Sequence, residues 1–226
     1  MPMRIGLLGG TFNPIHSCHL YIAEQTCERL DFDRVLFIPS SAPPHKSSDS
    51  LAPASHRFAM VQQAIVPYPK FHISDIEIRF PQTSYTYDTI DRLYQELDSD
   101  VELFFLIGLD AFLEIASWKQ AQALLQVCHF VVLSRPAHRF TELPALPLLP
   151  SMPLDVLHAL DEGQREQLVV STSQTSTITL LALPPCDISA STIRQHLRAG
   201  WPVSHWLPAS VESYIIQHRL YDMPVR

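Results

Sequence analysis

The sequence lacks the features that mark membrane proteins and nucleic-acid-binding proteins. No apolar run approaches the ~20 residues that a membrane-spanning helix needs. The 226 residues carry a formal net charge of −7, which argues against a large basic face for a nucleic-acid backbone. The apolar run at residues 5–10 is too short for a signal peptide. We therefore expect a cytoplasmic protein whose partners are small molecules, with no nucleic acid and no membrane among them.

Cysteine is scarce and scattered. The chain has Cys18, Cys27, Cys128 and Cys186, and no two of them form a C-x-x-C pair. The spacing therefore indicates neither a zinc ribbon nor a thioredoxin-like site. Scattered cysteines without an export signal fit a reducing compartment.

The sequence does contain the composition and periodicity of an α/β protein. Hydrophobic residues make up 46% of the chain and charged residues 17%, which is enough for a core and too little charge for general disorder. Short apolar runs, from residues 3–8 to residues 178–183, alternate with stretches at helical spacing. This alternation predicts a parallel sheet with helices on both faces, a Rossmann-like three-layer α/β/α fold that ends in C-terminal helices.

We expect residues 1–226 to form a single domain. Residues 136–177, with a Pro/Leu-rich part and a polar run, are predicted to be an irregular excursion from the sheet. The pattern also predicts one alternating strand at residues 71–78, and a helix at residues 111–127 that is interrupted near Ser117.

The turn between the first predicted strand and the first helix, residues 9–19, is a candidate site for phosphate. It matches neither the Walker loop nor the G-x-G-x-x-G fingerprint. Its glycines let the backbone approach an anion closely, and the helix that follows offers free N–H groups. His16 and His19 share a helical face, where their imidazoles could stabilise developing charge. On spacing alone, a capping turn with two surface histidines, or half of a metal site, stays open.

The run Gly9-Gly10-Thr11-Phe12-Asn13-Pro14-Ile15-His16-x-x-His19 resembles the entry motif of bacterial nicotinate-mononucleotide adenylyltransferases. That family belongs to the nucleotidyltransferase superfamily with a His-x-Gly-His motif, which also holds relatives such as pantetheine-phosphate adenylyltransferase. Further segments resemble the family in the same order along the chain, at residues 43–46, 57–60, 84–89, 108–110 with Trp118, and 188–194. Residues 136–177 match least.

The resemblance implies transfer of the adenylyl group of ATP to nicotinate mononucleotide, which gives deamido-NAD and pyrophosphate for NAD synthesis. Mg²⁺ would be held mainly by the ATP phosphates, and no metal would be held by the protein alone. His16 and His19 would be the catalytic residues and would contact ATP. The other ATP contacts implied are Gly9, Gly10, Thr11, Phe12, Gly108, Arg135, Ser189, Ser191 and Arg194. The acceptor contacts implied are His45, Lys46, Tyr85, Thr86, Asp110 and Trp118.

Several of these residues also have a purely structural interpretation. Ser189 and Ser191 stand at a predicted helix start and Asp110 precedes a helix, so each could simply be a cap. His45 and Lys46 lie in a polar loop, and Trp118 could belong to the core or the surface.

One position departs from the family pattern, because Cys18 stands where the family usually has glycine. We expect its sulfur to pack against the nucleotide or the first strand, with activity retained. The alternatives are an inactive or regulatory nucleotide-binding relative, and a sister adenylyltransferase with another acceptor.

Overall fold

The computed structural model describes residues 1–41, 51–80, 85–97 and 100–221. Within these ranges the strands form one sheet of seven, in the order β3-β2-β1-β4-β5-β7-β6. The strands are β1 (Met3–Gly10), β2 (Arg34–Pro39), β3 (Phe71–Ile73), β4 (Val101–Gly108), β5 (His129–Leu133), β6 (Gln167–Ser171) and β7 (Thr177–Leu181).

Helices precede or follow most of the strands along the chain. They are α1 (Ser17–Arg29), α2 (Ala54–Ile65), α3 (Ile76–Arg79), α4 (Thr86–Glu96), α5 (Leu109–Leu113), α6 (Ala121–Val127), α7 (Leu154–Asp161), α8 (Ala190–Ala199) and α9 (Ala209–Gln217). Short 3-10 helices lie at Ile115–Ser117 and Phe140–Ala145. No helix in the described ranges is long and apolar enough to cross a bilayer.

The sheet is parallel apart from one edge. β1 with β4, β2 with β3, β4 with β5, and β5 with β7 all pair in parallel. Leu103, Leu106, Phe130 and Val131 are buried, as expected of strands that are covered on both faces. The predicted α/β fold with a parallel sheet is confirmed.

The prediction for residues 136–177 is wrong in part, because β6 returns to the sheet. β6 pairs antiparallel with β7 through a short polar loop, in which Thr172 N–H donates to the Ser176 carbonyl. A loop of that length joins antiparallel neighbours, whereas a parallel pair needs a longer crossover. The polar run in the sequence is therefore a hairpin turn.

Of two further predicted elements, the strand at residues 71–78 is shorter than expected and the helix at residues 111–127 is interrupted as expected. The strand expected over residues 71–78 ends at Ile73, because the Ser74 hydroxyl accepts a hydrogen bond from Ile76 N–H and the chain turns into α3. The helix expected over residues 111–127 is interrupted as predicted, with α5 and α6 separated by the 3-10 helix and by Gln120, whose φ is 54°.

The chain divides into two compact units, and both are discontinuous in sequence. The first unit comprises Met1–Leu8 and Tyr85–Pro185, and the second comprises Gly9–Ser84 and Cys186–Arg226. Residues predicted to be functional occur in both units. The prediction of a single domain stays a prediction.

Candidate active site

In the second unit, the turn after β1 is built around Phe12. This residue has a φ of 47° and its side chain is 2% exposed. Its ring lies 5.0 Å from the His19 ring and 5.9 Å from the Phe37 ring, measured between centroids. A β carbon at Gly10 would lie 3.1 Å from the Phe12 ring. Glycine at position 10 thus lets the aromatic ring pack directly against the end of β1.

His16 and His19 lie together at the start of α1. His16 is the N-cap residue, and the two imidazole centroids are 3.8 Å apart. The backbone N–H of His16 donates to Nδ1 of His19 at 3.2 Å. Since Nδ1 of His19 accepts this bond, the neutral ring carries its proton on Nε2. His19 therefore presents an N–H donor beside a helix N-terminus, which is the end of a helix that favours phosphate.

The start of α8 carries the second set of residues in this unit that is predicted to bind phosphate. Ser189 is the N-cap, and its hydroxyl accepts from Thr192 N–H at 3.1 Å and lies 2.9 Å from the Ser191 hydroxyl. The capping interpretation of Ser189 is thus confirmed. Nη1 of Arg194 donates to the carbonyl of Asn13 at 2.8 Å, while its buried Nε has no hydrogen-bond partner in the described ranges.

Cys18 does not lie where the sequence suggested. Its sulfur forms a disulfide bond with Cys186, 168 residues further along the chain. The hypothesis that the Cys18 sulfur packs against a nucleotide or the first strand is therefore wrong. The bond joins the start of α1 to the segment just before α8, and only the folded chain brings these two parts together. Cys27 and Cys128 are free and buried.

Arg57, on α2, has a role that the sequence reasoning missed. Its side chain is fully buried, and it donates to three backbone carbonyls, those of Ala52 at 2.9 Å, Thr11 at 2.8 Å and Ser41 at 2.9 Å. Burial lowers the pKa of its guanidinium. The signal was in the helical spacing, because residues 57, 60, 61 and 64 make up the buried face of α2.

In the first unit, Gly108 ends β4 beside an ion pair. Arg135 Nε lies 3.2 Å from Asp110 Oδ1, and both side chains are well exposed. A β carbon at Gly108 would collide with both of these side chains. The N-cap of α5 is Gly108, and Asp110 is the second residue of the helix. Gly108 therefore gives room to the Asp110–Arg135 pair, and the predicted nucleotide contacts Gly108 and Arg135 lie beside the predicted acceptor contact Asp110.

The predicted acceptor residues Tyr85 and Thr86 stand at the start of α4, with Tyr85 as the N-cap. The Tyr85 ring is 46% exposed, and Lys119 Nζ lies 5.0 Å from its centroid. Lys119 also pairs with Asp88 at 2.8 Å. The sequence reasoning missed Lys119, although it is the neighbour of Trp118. A helix N-terminus beside a lysine is an environment that favours a carboxylate.

Trp118 borders an open surface cavity of about 580 Å³ that Tyr87 and Gln122 also line. Its ring packs edge-on against Phe105, with centroids 6.1 Å apart. His45 and Lys46 lie outside the described residues.

These features define a nucleotidyltransferase-like protein, and the comparisons with known proteins agree. The sequence model of the cytidylyltransferase-like family matches residues 7–196. Probable nicotinate-nucleotide adenylyltransferases of Geotalea daltonii and of a Synechococcus strain are 41% and 36% identical to the chain, over 97% and 98% of its length and 99% and 96% of theirs. The chain belongs to the nicotinate-nucleotide adenylyltransferase family.

The fold agrees with solved structures as well. The nicotinic acid mononucleotide adenylyltransferase of Plasmodium falciparum, solved in complex with NaAD, superposes with a TM-score of 0.70 at 18% identity, over 99% of both chains. A second structure of that protein, in complex with APC, gives a TM-score of 0.68 over 99% of this chain and all of the other.

Proposed function

We infer that this chain transfers the adenylyl group of ATP to nicotinate mononucleotide, and so makes deamido-NAD and pyrophosphate in NAD biosynthesis. The observation that carries this inference is the pair of imidazoles at the start of α1, 3.8 Å apart, in a chain whose relatives at about 40% identity are named for this activity. The first unit supplies a separate group suited to a pyridine carboxylate, at the start of α4.

The chemistry needs charge stabilisation more than proton abstraction. The 5′-phosphate of nicotinate mononucleotide is already an anion at neutral pH. One of its oxygens attacks the α-phosphorus of ATP, and the bond from that phosphorus to pyrophosphate breaks. Catalysis of such a transfer comes from positioning and from donors that face the growing charge. We assign that role to the Nε2–H of His19, to His16 and to the N–H groups at the starts of α1 and α8.

Arg194 and the hydroxyl groups of Ser189 and Ser191 are proposed to hold the outer phosphates of ATP. One N–H of Arg194 is used on the Asn13 carbonyl. The guanidinium therefore offers only its remaining N–H groups to phosphate, and it does so from a fixed position. The Gly9–Phe12 turn is proposed to contact the rest of the nucleotide. Gly108 and Arg135, which belong to the first unit, stay predicted nucleotide contacts.

We propose that Tyr85, Thr86, Asp110 and Trp118 bind the acceptor, together with His45 and Lys46. The first N–H groups of α4 would donate to the ring carboxylate, because they lack acceptors within the helix. Lys119 adds a positive charge on the same side, since its Nζ is 5.0 Å from the Tyr85 ring. An aromatic face such as that of Trp118 suits a flat heterocycle.

A divalent metal, which we propose to be Mg²⁺, would neutralise phosphate charge during the transfer. In the described part of the chain, no group of three or more His, Cys, Asp or Glu side chains could hold a metal. Mg²⁺ usually keeps several waters and is bound through substrate phosphates, so we propose that the metal arrives with ATP. We also propose a cytoplasmic location.

Pyrophosphate release tests the proposal. The purified chain is given ATP with nicotinate mononucleotide, nicotinamide mononucleotide or phosphopantetheine. We expect kcat/KM for the nicotinate form to exceed that for the nicotinamide form by on the order of 10²-fold or more, because a site built to bond a charged group discriminates against its neutral analogue. Equal values would overturn the assignment of the acceptor. Pyrophosphate release only when phosphopantetheine is the acceptor would indicate a sister adenylyltransferase. No pyrophosphate release with any acceptor would indicate an inactive relative.

A further inference from the structure

The disulfide between Cys18 and Cys186 connects two elements that the proposed function uses. Cys18 is the second residue of α1 and lies between His16 and His19 in the chain. Cys186 lies shortly before Ser189, the N-cap of α8. The bond therefore joins the start of the helix with the paired imidazoles to the segment just before the helix proposed to hold the outer phosphates.

The chain before α8 has few other attachments. Residues 182–189 form no helix or strand, and in the described part of the chain residues 184–188 make no hydrogen bond. The Cα atoms of Cys18 and Cys186 are 5.8 Å apart. The disulfide thus fixes where the chain enters α8, and Ser189 follows directly from that point.

The two sulfurs differ in their access to solvent. Cys18 is 4% exposed, whereas Cys186 is only partly covered. An incoming thiolate would therefore attack at Cys186. The remaining cysteines do not compete, because Cys27 and Cys128 are buried and their thiols lie 3.5 Å and 3.2 Å from backbone carbonyls. Burial raises the pKa of both thiols, that of Cys128 to about 12, and the thiolate is the reactive form.

We propose that Cys18 and Cys186 are a reversible thiol–disulfide exchange site, and that its oxidation state sets the affinity of the protein for ATP. The proposal rests on the proposed function. It also fits a cytoplasmic location, where disulfides that do form are usually transient and redox-sensing.

The exchange is balanced by a low-molecular-weight thiol. Two such thiols supply two electrons and two protons. The first thiolate attacks the Cys186 sulfur, and the Cys18 sulfur leaves and takes up a proton. The second thiolate then attacks the mixed disulfide, which frees Cys186 as a thiol and releases the two small thiols joined as a disulfide. The reverse sequence reforms the protein disulfide.

The oxidised form should bind ATP more tightly. With the bond intact, the starts of α1 and α8 are held at a fixed separation, so ATP does not have to order residues 184–188 when it binds. Such preorganisation lowers the cost of binding. Reduction should raise the KM for ATP about fivefold, which is at the lower end of typical coupling between two sites. The KM for nicotinate mononucleotide should stay unchanged.

The coupling must be reciprocal, and this gives a test that does not depend on turnover. If the oxidised form binds ATP about fivefold more tightly, then a saturating non-hydrolysable ATP analogue shifts the thiol–disulfide equilibrium about fivefold toward the disulfide. The full chain is equilibrated in mixtures of reduced and oxidised glutathione, with and without the analogue. Denaturation, alkylation and mass spectrometry then count the free thiols, and we expect two in the oxidised form and four in the reduced form.

The variants separate this site from other effects of reductant. In Cys186→Ser and in Cys18→Ala, the KM for ATP should equal that of reduced wild type in both buffers. Cys27→Ser keeps the pair intact and can keep the hydrogen bond to the Phe32 carbonyl, so it should respond to reductant like wild type.

Three results would overturn the proposal. The first is four free thiols in protein equilibrated with oxidised glutathione. The second is a KM for ATP that is the same or lower after reduction. The third is a midpoint of the thiol–disulfide titration that the ATP analogue does not shift. If no adenylyl transfer occurs in either oxidation state, the proposed function fails instead. The count of thiols and the shift of the midpoint still test the exchange site in that case.

Discussion

Replacing Arg57 with methionine tests whether its buried guanidinium holds the turn after β1. The side chain donates to the carbonyls of Thr11, Ser41 and Ala52 at 2.8–2.9 Å. Methionine fills similar volume but leaves these three carbonyls without that donor. A hydrogen bond to a charged group contributes roughly 1.5–3 kcal/mol, and an acceptor left unsatisfied in a buried site costs roughly 1–3 kcal/mol.

Because three such hydrogen bonds are lost, we expect Arg57→Met to lower the free energy of unfolding by about 3–5 kcal/mol, which is a large share of the roughly 5–15 kcal/mol that folded proteins have. In urea, with a slope of ~2 kcal/mol/M, the midpoint should fall by about 1.5–2.5 M. Arg57→Lys should lie between this variant and wild type, because an ammonium keeps the charge but lacks the planar fork.

Arg79→Met is the matched control. Arg79 pairs with Asp75 at 2.8 Å, but both side chains are about half exposed. An exposed pair contributes at most ~1 kcal/mol, so this variant should unfold close to wild type. If Arg57→Met fell within about 1 kcal/mol of Arg79→Met, the three carbonyls would have found other partners, and Arg57 would not be what holds the turn.

Three further predictions concern catalysis, and steady-state kinetics check each of them. His19→Ala should lower kcat roughly 10²–10³-fold with little effect on acceptor KM, because a donor that acts on developing charge is lost. A kcat near that of wild type would remove His19 from the mechanism. Arg194→Lys should raise the KM for ATP only, because a lysine cannot bond the Asn13 carbonyl and also reach phosphate with a planar fork. A change confined to the acceptor KM would mean that the triphosphate is misplaced. Lys119→Met should raise the KM for nicotinate mononucleotide up to about fivefold, since an exposed pair is worth at most ~1 kcal/mol, and should leave the KM for the nicotinamide form unchanged. Equal increases in KM for nicotinate and nicotinamide mononucleotide would show that Lys119 does not interact with the carboxylate.

The elements that could be predicted from the sequence are those with strong burial patterns. The continuous apolar run at residues 101–107 predicts a strand, and β4 spans Val101–Gly108; the helical spacing over residues 87–97 predicts a helix, and α4 spans Thr86–Glu96. β6 was missed, because an edge strand is only half covered and Val169 at its centre is exposed. The apolar run in β6, at residues 168–170, is only three residues long, and the hairpin that places it in the sheet consists of ordinary polar residues.

The candidate site was predictable where one segment carries the information. His16 and His19 are neighbours on one helical turn, so their spacing alone placed them together. Arg57 was detectable in principle, since its spacing from Met60 and Val61 put it on the buried face of α2. The disulfide was not, because Cys18 and Cys186 are 168 residues apart and only the folded chain brings the two sulfurs within bonding distance.

The way the second unit holds its cations explains how an acidic chain can bind a triphosphate. The chain has a net charge of −7, but Arg57 and Arg194 donate to carbonyls of the turn, at Thr11 and Asn13, and in the described ranges neither forms an ion pair with a carboxylate. The nearby Tyr221 does not neutralise them, because burial raises the pKa of its hydroxyl above the usual range even though both guanidiniums lower it.

Carbonyl partners satisfy the N–H groups of an arginine without cancelling its charge, whereas a carboxylate does both. Lys119 and Arg135 in the first unit are instead paired with the carboxylates of Asp88 and Asp110, which offset part of their charge. The turn after β1 therefore keeps a positive potential that the total charge of the chain conceals. This potential adds to the helix N-terminus that His16 caps, so a phosphate anion is favoured at the same turn that carries the two imidazoles.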